Sequence, residues 1–340
     1  MNDYYKIFKI CFIIFFIYKY KKIDIYSIDN KILKKRIIGD VLYVNGCDPN
    51  ILPHPYRYRV LHQIEQLTAG FLEAHEIYYL NLNPLFITDF RVIIFYRCPW
   101  TENIGKAISL AKALNKKVFF DIDDLVIDTK YTDLVPYIQT ISSSQKLLYD
   151  EGVNRMRKTL ELCQGAITTT EVLANELKNY VSEVFINRNV ASEEMFKLSK
   201  YALKKKIKKK NKNEITIGYF SGSISHTNDI EMIIPALNKI LQEFKNVKLL
   251  FIGEIEIHNK FINFFSKIKK KQFVNWKNLP KLISKVDINI APIKDNIFNK
   301  AKSENKWIEA ALVKVPTVAS NIGSFKQIIK MGKLGFFVIM

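Results

Sequence analysis

A short glycine-containing turn at residues 221–229 carries groups that could bind phosphate. It reads Ser-Gly-Ser-Ile-Ser-His-Thr-Asn-Asp and connects a β-branched and aromatic stretch to an amphipathic helix pattern. Glycine lets a ligand approach the backbone closely, and the N–H groups that begin a helix attract phosphate. Gly222, Ser223 and His226 are therefore candidate binding residues. The alternative is an ordinary turn in which Asn228 or Asp229 caps the helix.

Three carboxylates follow a predicted strand in the first half of the chain. Asp121, Asp123 and Asp124 come directly after the apolar residues 118–120. Carboxylates at the end of a strand could bind a metal, act as a base toward an acceptor, or cap the next segment. The sequence has no phosphate loop, nucleophile elbow or zincin motif, so it gives no support to ATPase, serine hydrolase or zinc protease functions. Its four cysteines are scattered, which favours reduced thiols in a cytosol.

A polar set of side chains recurs at helical spacing between residues 56 and 67. Val60, Ile64 and Leu67 form the apolar stripe of this predicted helix. The polar residues Arg59, His62, Gln63 and Gln66 share the other side. A helix that begins at a binding cleft would direct Arg59 and His62 toward a donor or an acceptor. The alternative is that they are solvated surface residues.

The elements that would position these groups alternate between strands and helices, which is typical of parallel α/β folds. We predict strands at 41–45, 77–81, 92–96, 117–122, 165–169, 184–187, 215–219, 247–252, 288–291 and 317–319. We predict helices at 58–67, 103–114, 145–163, 171–179 and about 304–312, and an apolar helical period over 230–241. The sequence therefore predicts two Rossmann-like domains, which bind ligands where their strands end.

The predicted domain organisation has four parts. Residues 1–39 form a basic and apolar extension, 40–192 an N-terminal Rossmann-like domain, 193–213 a Lys-rich linker, and 214–340 a second Rossmann-like domain. In the extension, an apolar run of nine residues, 10–18, lies between lysines. It is too short to span a bilayer and has no small-residue cleavage site, so it either docks on the domain or lies in a membrane interface.

The charge balance is basic. The 340 residues include 52 Lys and Arg against 33 Asp and Glu, a net charge of +19. Much of this charge lies in two lysine runs, at 204–212 and 267–271. They could be solvated linker or helix-end surface, or they could bind an anionic membrane or nucleic acid. Neither run contains an aromatic residue, which disfavours nucleic acid.

The strongest motif is Asn-Lys-Ala-Lys-Ser-Glu-Asn-Lys-Trp-Ile-Glu-Ala-Ala-Leu at 299–312, followed by Val-Pro-Thr-Val-Ala-Ser at 315–320. With the turn at Gly222 and the ending 332–337, it resembles the donor domain of GT-B glycosyltransferases of the group 1 type, which build bacterial surface polysaccharides. The resemblance implies that Glu309 holds the donor ribose and that Lys302, Ser303 and Lys306 contact the diphosphate. Ala301 stands where that family has the first of two glutamates, and Lys314 where it has glycine.

The resemblance implies transfer of a sugar from a nucleotide-diphosphate donor to a glycan or lipid-linked acceptor. It implies a retaining, hexosyl-type enzyme that uses no metal or other cofactor. The expected location is the cytoplasm, and the anionic inner face of the membrane is a further expected partner. In this interpretation the domain at 40–192 is the acceptor side and the domain at 214–340 binds the nucleotide-sugar donor. Arg59, His62, Asp121, Asp123 and Asp124 serve the acceptor side. The resemblance also implies a closing C-terminal helix, and we expect this helix to be missing. The alternative is a non-catalytic or truncated protein that binds a nucleotide sugar.

Overall fold

The computed structural model describes residues 39–205, 213–222, 227–253, 260–329 and 335–338. The predicted apolar run at 10–18, Ser223, His226 and most of the first lysine run lie outside the described residues. The chain divides into two compact units. The first holds the chain up to Ile122 together with Gly152–Thr168 and Leu177–Phe185, and the second holds Asp123–Glu151, Thr169–Glu176 and the chain from Ile186 onward.

The first unit is built on a six-stranded sheet in the order β2-β1-β3-β4-β5-β6. Its strands are β1 (Gly39–Asn45), β2 (Ala74–Tyr78), β3 (Phe90–Tyr96), β4 (Lys117–Asp121), β5 (Gly165–Thr168) and β6 (Glu183–Ile186). The pairs formed by β1 to β5 are parallel. Because Asn45, Tyr96 and Asp121 are partners in register, their side chains share one edge of this sheet.

The helices along the chain from Pro53 to Leu177 are largely those that the periodicity predicts. They are α1 (Pro53–Tyr56), a π-helical turn (Arg57–Leu61), α2 (His62–Ala69), α3 (Glu102–Ala113), α4 (Ser143–Leu162) and α5 (Glu171–Leu177). Short 3-10 helices occupy Tyr79–Asn81, Pro84–Asp89, Thr129–Leu134 and Pro136–Thr140. The side chain of Thr101 caps α3 by accepting a hydrogen bond from the Ile104 N–H.

The second unit contains a six-stranded sheet in the order β12-β11-β10-β7-β8-β9, with all of its pairs parallel. Its strands are β7 (Ile215–Phe220), β8 (Val247–Ile252), β9 (Ile268–Lys271), β10 (Ile288–Ala291), β11 (Thr317–Ser320) and β12 (Gly335–Val338). Its helices are α6 (Glu193–Lys204), α7 (Thr227–Glu231), α8 (Ile234–Glu243), α9 (Leu279–Ile283), α10 (Ile297–Lys300), α11 (Asn305–Leu312) and α12 (Gly323–Ile328). Two 3-10 helices, Ile262–Lys267 and Trp276–Asn278, complete it.

Helices cover both faces of this second sheet because its strands are apolar on both sides. Tyr219 and Phe251 pack with Leu237 of α8 on one face. Phe220 packs with Ala202 of α6, and with residues of α9 and α11, on the other. Neighbouring residues of a strand point to opposite faces, so Tyr219 and Phe220 belong to different cores. A parallel sheet covered in this way leaves its carboxyl edge open for ligands.

Two stretches differ from the sequence prediction. The expected linker at 193–213 is helical over Glu193–Lys204, because Ser192 caps the helix and its buried residues Met195, Ser199 and Ala202 recur at helical spacing. Most of the second lysine run is a strand, since Ile268–Lys271 forms β9 at the edge of the sheet, while Lys267 ends the preceding 3-10 helix as one of the alternatives expected. Lysine suits an edge strand because its charge discourages pairing with another chain.

Candidate functional site

The predicted motif at 301–309 forms a turn after α10 and the first turns of α11, between β10 and β11. Asn189, whose side chain is buried, donates from Nδ2 to Ser303 Oγ and to Asn305 Oδ1, both at 3.0 Å. Because one amide group holds two side chains of the turn, Ser303 has a fixed position at the start of α11. A serine hydroxyl fixed beside a helix N-terminus is well placed to donate to an anion.

The backbone of the turn is fixed as well. Thr170 Oγ1 donates to the carbonyl of Ala301 at 2.9 Å, and Ser324 Oγ donates to the carbonyl of Lys302 at 2.8 Å. Both hydroxyl groups come from other segments of the second unit, namely the start of α5 and the start of α12. The turn is therefore held in one conformation by side chains that the motif itself does not contain.

Glu304 faces a basic side chain inside the same unit. It is 4% exposed, and both of its carboxylate oxygens lie 3.4 Å from Arg188 Nη1. Arg188 also donates to Gln327, whose amide in turn donates to Glu171 at 2.8 Å. This chain of hydrogen bonds connects the segment after β6 to the start of α11 and to α12.

Lys306 is the motif residue with the most unusual environment. Its Nζ lies 4.4 Å from the centre of the Tyr219 ring and 3.4 Å from the Tyr219 hydroxyl oxygen. The pKa of Lys306 is lowered from its ordinary 10.5 to about 8. Burial is the main cause and the charge of Lys302 contributes, while the carboxylates of Asp229 and Glu309 oppose the shift. An ammonium group that lacks full solvation gains more from a bound anion than a fully hydrated lysine does.

Lys302 and Glu309 complete the predicted set. Both are partly exposed, and Lys302 Nζ lies 4.8 Å from the centre of the Phe298 ring. Glu309 follows Lys306 by three residues in α11, which places the two side chains on one face of the helix. The structure thus brings Lys302, Ser303, Lys306 and Glu309 together within one turn and the first turns of one helix.

Gly222 lies in an exposed turn directly after β7. A Cβ added to it would meet no described atom within 4 Å, so the backbone there is accessible. Gly253 lies beside this turn with a φ of +112°, and a Cβ on it would come within 2.2 Å of the Ser221 carbonyl oxygen. Glycine at 253 is therefore required for the close approach of the two strand ends.

Asp229 has a role that neither sequence interpretation predicted. It lies inside α7 and is 3% exposed, and its Oδ1 accepts from the Lys294 N–H at 3.0 Å and from Asn299 Nδ2 at 3.1 Å. The suggestion that Asp229 caps the helix is therefore wrong, because its carboxylate bonds to the loop that follows β10. This contact connects the turn at Gly222 to the segment that leads into the motif.

The first unit contains the predicted acceptor-side pair. Arg59 Nε donates to Asp121 Oδ1 at 3.0 Å and Arg59 Nη2 donates to Asp121 Oδ2 at 2.8 Å, and neither side chain is exposed to solvent. His62 and Gln63 are buried as well. The expectations that these residues line a polar helix face or are solvated surface are therefore wrong, because this helical segment is buried on more than one side. This bidentate ion pair holds the end of β4 against the π-helical turn.

Asp123 and Asp124 belong to the second unit and are partly exposed. The carboxylate of Asp124 accepts from the Leu125 N–H at 3.0 Å, and the acceptor-side role of both residues stays a prediction. Within the described ranges, no group of three or more His, Cys, Asp or Glu side chains is arranged to hold a metal ion. The three described cysteines, Cys47, Cys98 and Cys163, are buried thiols.

The family model of the glycosyl transferases group 1 matches residues 215–339, which include the Gly222 turn and the whole 301–309 motif. These residues are a group 1 glycosyltransferase domain. The match confirms the resemblance that the motif indicated, over the part of the chain where the motif lies. In a separate sequence comparison, no curated protein matches the chain.

Two solved structures are similar to the chain that carries this group 1 domain. HepE from Anabaena, in complex with UDP and glucose, matches with a TM-score of 0.50 and 10% identity, over 88% of this chain and 85% of HepE. Sucrose-phosphate synthase from Thermosynechococcus elongatus matches with a TM-score of 0.50 and 12% identity, over 88% and 86%. These likenesses show the fold, and they confirm the prediction of two Rossmann-like domains of the GT-B type. The missing closing helix stays a prediction.

Several residues around the group 1 motif were missed by sequence reasoning. Arg188 and Asn189 lie two and three residues after the end of β6, so the rule that drew attention to Asp121 could have found them. Tyr219 lies inside a strand, where an aromatic residue is expected for packing alone. Lys314, in place of the family's glycine, has a φ of +57°, which explains why glycine is suited to the end of α11.

Proposed function

We propose that the chain is a glycosyltransferase that moves a sugar from a nucleotide-diphosphate donor to a glycan or lipid-linked acceptor. The observation that carries this proposal is the fixed turn at 301–306, which collects Lys302, Ser303 and Lys306 beside the N-terminus of α11. The family match over 215–339 supports the same assignment. HepE, which shares the fold, has been solved with UDP and glucose, and this makes a uridine nucleotide the first donor to test.

The chemistry of the turn suits a leaving nucleotide diphosphate. Two ammonium groups, a hydroxyl and the N-terminus of a helix supply positive potential where negative charge develops as the sugar leaves. Because these groups can neutralise the diphosphate, we propose that transfer needs no metal ion and no other cofactor. Glu309, on the same face of α11 as Lys306, is proposed to accept from the hydroxyl groups of the donor ribose.

The finer assignments are proposals from the family resemblance. We propose retention of the anomeric configuration and a hexosyl donor. In the first unit, Arg59, His62 and Asp121 are proposed as buried support. In the second unit, the partly exposed Asp123 and Asp124 are proposed to contact the acceptor. A cytoplasmic location at the inner face of a membrane follows from the proposed lipid-linked acceptor. None of the helices in the described part of the chain has the length and apolar character needed to cross a bilayer.

The test is a thermal-shift and calorimetric panel of UDP-, GDP-, dTDP- and CMP-sugars, with Mg²⁺ and with EDTA. We expect one nucleotide class to stabilise the protein equally in both conditions. Glu309→Ala should lose most of this stabilisation, whereas the matched control Glu243→Ala, at the exposed end of α8, should keep it. Stabilisation that needs Mg²⁺ would refute the metal-free donor site, and no binding by any donor would refute the proposed function.

A non-catalytic nucleotide-sugar-binding protein is the second candidate. The observation that favours it is the buried Ala301, where the resemblance implies a glutamate. Donor hydrolysis or transfer, followed by release of the nucleoside diphosphate with and without an acceptor extract, separates the two candidates. Binding without any turnover would favour the second.

A further inference from the structure

Helix α6 (Glu193–Lys204) buries one face and exposes another of unusual composition. Its buried residues are Met195, Ser199 and Ala202, and Ala202 packs against Phe220 and Leu250 of the second sheet. The helix is therefore anchored on the group 1 domain along its apolar stripe. Within the part of the chain that the structure describes, the opposite side of the helix is exposed.

The exposed side combines lysines with large aromatic rings. Phe196 is 45% exposed and Tyr201 is 60% exposed, although aromatic side chains of this size are usually buried. Lys200 Nζ lies 5.7 Å from the centre of the Phe196 ring, and Lys205 Nζ lies 5.7 Å from that of Tyr201. We name as the basic aromatic face the five residues Phe196, Lys197, Lys200, Tyr201 and Lys204. At helical spacing they fall within an arc of about 140°.

The acidic residues of α6 neutralise only one lysine of this face. Glu193 pairs with Lys197 at 3.6 Å, and Glu194 is directed to Lys277 at 2.8 Å. Both acids lie in the first turn, so the last two turns carry lysines without a carboxylate. Acids in the first turn and lysines in the last also suit the helix dipole, which accounts for their order along the helix but not for the exposed rings.

We propose that the basic aromatic face of α6 binds the surface of an anionic membrane. Lysines attract anionic headgroups, and aromatic rings favour the boundary between headgroups and acyl chains. A convex helix face suits a flat bilayer, whereas single-stranded nucleic acid is bound in grooves on which its bases stack. The extension at 1–38 and a second copy of this face are also basic, so both would be repelled. The proposal deepens the membrane part of the proposed function and names the surface that serves it.

The experiment measures binding of the full chain to vesicles without any nucleotide sugar. Vesicles of phosphatidylcholine alone are compared with vesicles that contain about 30% phosphatidylglycerol, at about 100 mM and about 500 mM salt. The test variant is the triple change Lys197→Gln, Lys200→Gln and Lys204→Gln. The control variant is Lys239→Gln, Lys245→Gln and Lys285→Gln, three exposed lysines of the second unit, which removes the same charge and, like the test variant, breaks one ion pair at i,i+4 spacing.

We expect the wild type to bind only the anionic vesicles, and more weakly at high salt. The test variant should bind at least about tenfold more weakly, and the control variant within about twofold of wild type. Phe196→Ser with Tyr201→Ser should weaken binding without changing its salt dependence. Equal loss in both triple variants, equal binding to neutral vesicles, or no binding by the wild type would overturn the proposal.

Two further measurements distinguish this proposal from nucleic-acid binding by the same face and from the proposed donor site. A duplex and a single-stranded oligonucleotide are titrated against the same variants, and tight binding that the test variant alone loses would assign the face to nucleic acid instead. Nucleotide-sugar stabilisation is measured on the test variant, where it should equal that of wild type. A protein that binds donor but no vesicle would refute only the membrane surface, and the reverse result would refute only the donor site.

Discussion

Raising the pH from 7 to 9 should weaken binding of a nucleotide sugar through Lys306. Burial lowers the pKa of this side chain to about 8, so it loses its charge in this range. A bound diphosphate favours the charged form, and it therefore raises the pKa of Lys306 in the complex. Binding then takes up a proton whenever the free protein holds Lys306 partly neutral.

The magnitude follows from the fraction of charged lysine in the free protein. With a pKa of about 8, Lys306 is about nine tenths charged at pH 7 and about one tenth charged at pH 9. If only the charged form binds, the affinity falls about tenfold between these two values. At pH 8 the free side chain is about half charged, so binding should take up about half a proton. The free energy of unfolding has the opposite trend. Because the pKa of Lys306 is about 8 in the folded protein and 10.5 in the unfolded chain, the cost of burying its charge disappears as pH rises from about 8 to 10.5, and the free energy of unfolding increases.

The assay is titration calorimetry with the nucleotide sugar identified in the panel, at pH 7, 8 and 9. At pH 8 it is repeated in two buffers of different ionisation enthalpy to count protons. Lys306→Gln should bind the nucleotide sugar weakly at pH 7. Between pH 7 and 9 its affinity should change only as far as titration of the nucleotide itself changes it. Lys306→Arg keeps its charge and can still stack on Tyr219, so its affinity should not depend on pH. A tenfold fall that persists in Lys306→Gln, or no proton uptake by the wild type, would refute the reasoning.

Two further predictions concern side chains that hold the sites in place. Asn189→Ala removes both hydrogen bonds to Ser303 and Asn305, so the donor KM should rise by about fivefold or more while kcat changes less, and Asn189→Asp, which still accepts but no longer donates, should not rescue it. An unchanged KM would contradict a positioning role. In the first unit, Arg59→Met leaves Asp121 buried without its partner and should cost about 3–5 kcal/mol in urea unfolding. Arg59→Met with Asp121→Leu should recover most of that loss, and additive losses would show that the pair is not coupled.

Much of the fold could be predicted from local patterns. The alternation of strands and helices is recorded in short apolar runs, and every predicted strand overlaps an observed one. The predictions that differ from the structure concern two lysine-rich segments. The helix Glu193–Lys204 and the edge strand Ile268–Lys271 both contain enough lysine to look like linker. Yet the helix packs Ala202 on the second sheet, and the strand pairs with β8 and packs Ile268 against the core beside it.

The candidate site was predictable only in part, because its members contact each other across long sequence distances. Lys302, Ser303, Lys306 and Glu309 are close in sequence, so one motif could nominate them together. Asn189 and Thr170 hold the same turn from more than a hundred residues away, and no local pattern records that contact. Their roles appear only when the chain folds.

The sequence by itself determined the α/β class, the carboxyl-edge positions of the polar residues and the group 1 motif, because periodicity and residue type are local properties. The tertiary structure decided the state of those residues. It buried Arg59 against Asp121, turned Asp229 toward the loop after β10, and placed Lys306 over Tyr219. Burial and charge pairing depend on which segments meet, and these set whether a side chain supports the fold or remains able to bind a ligand.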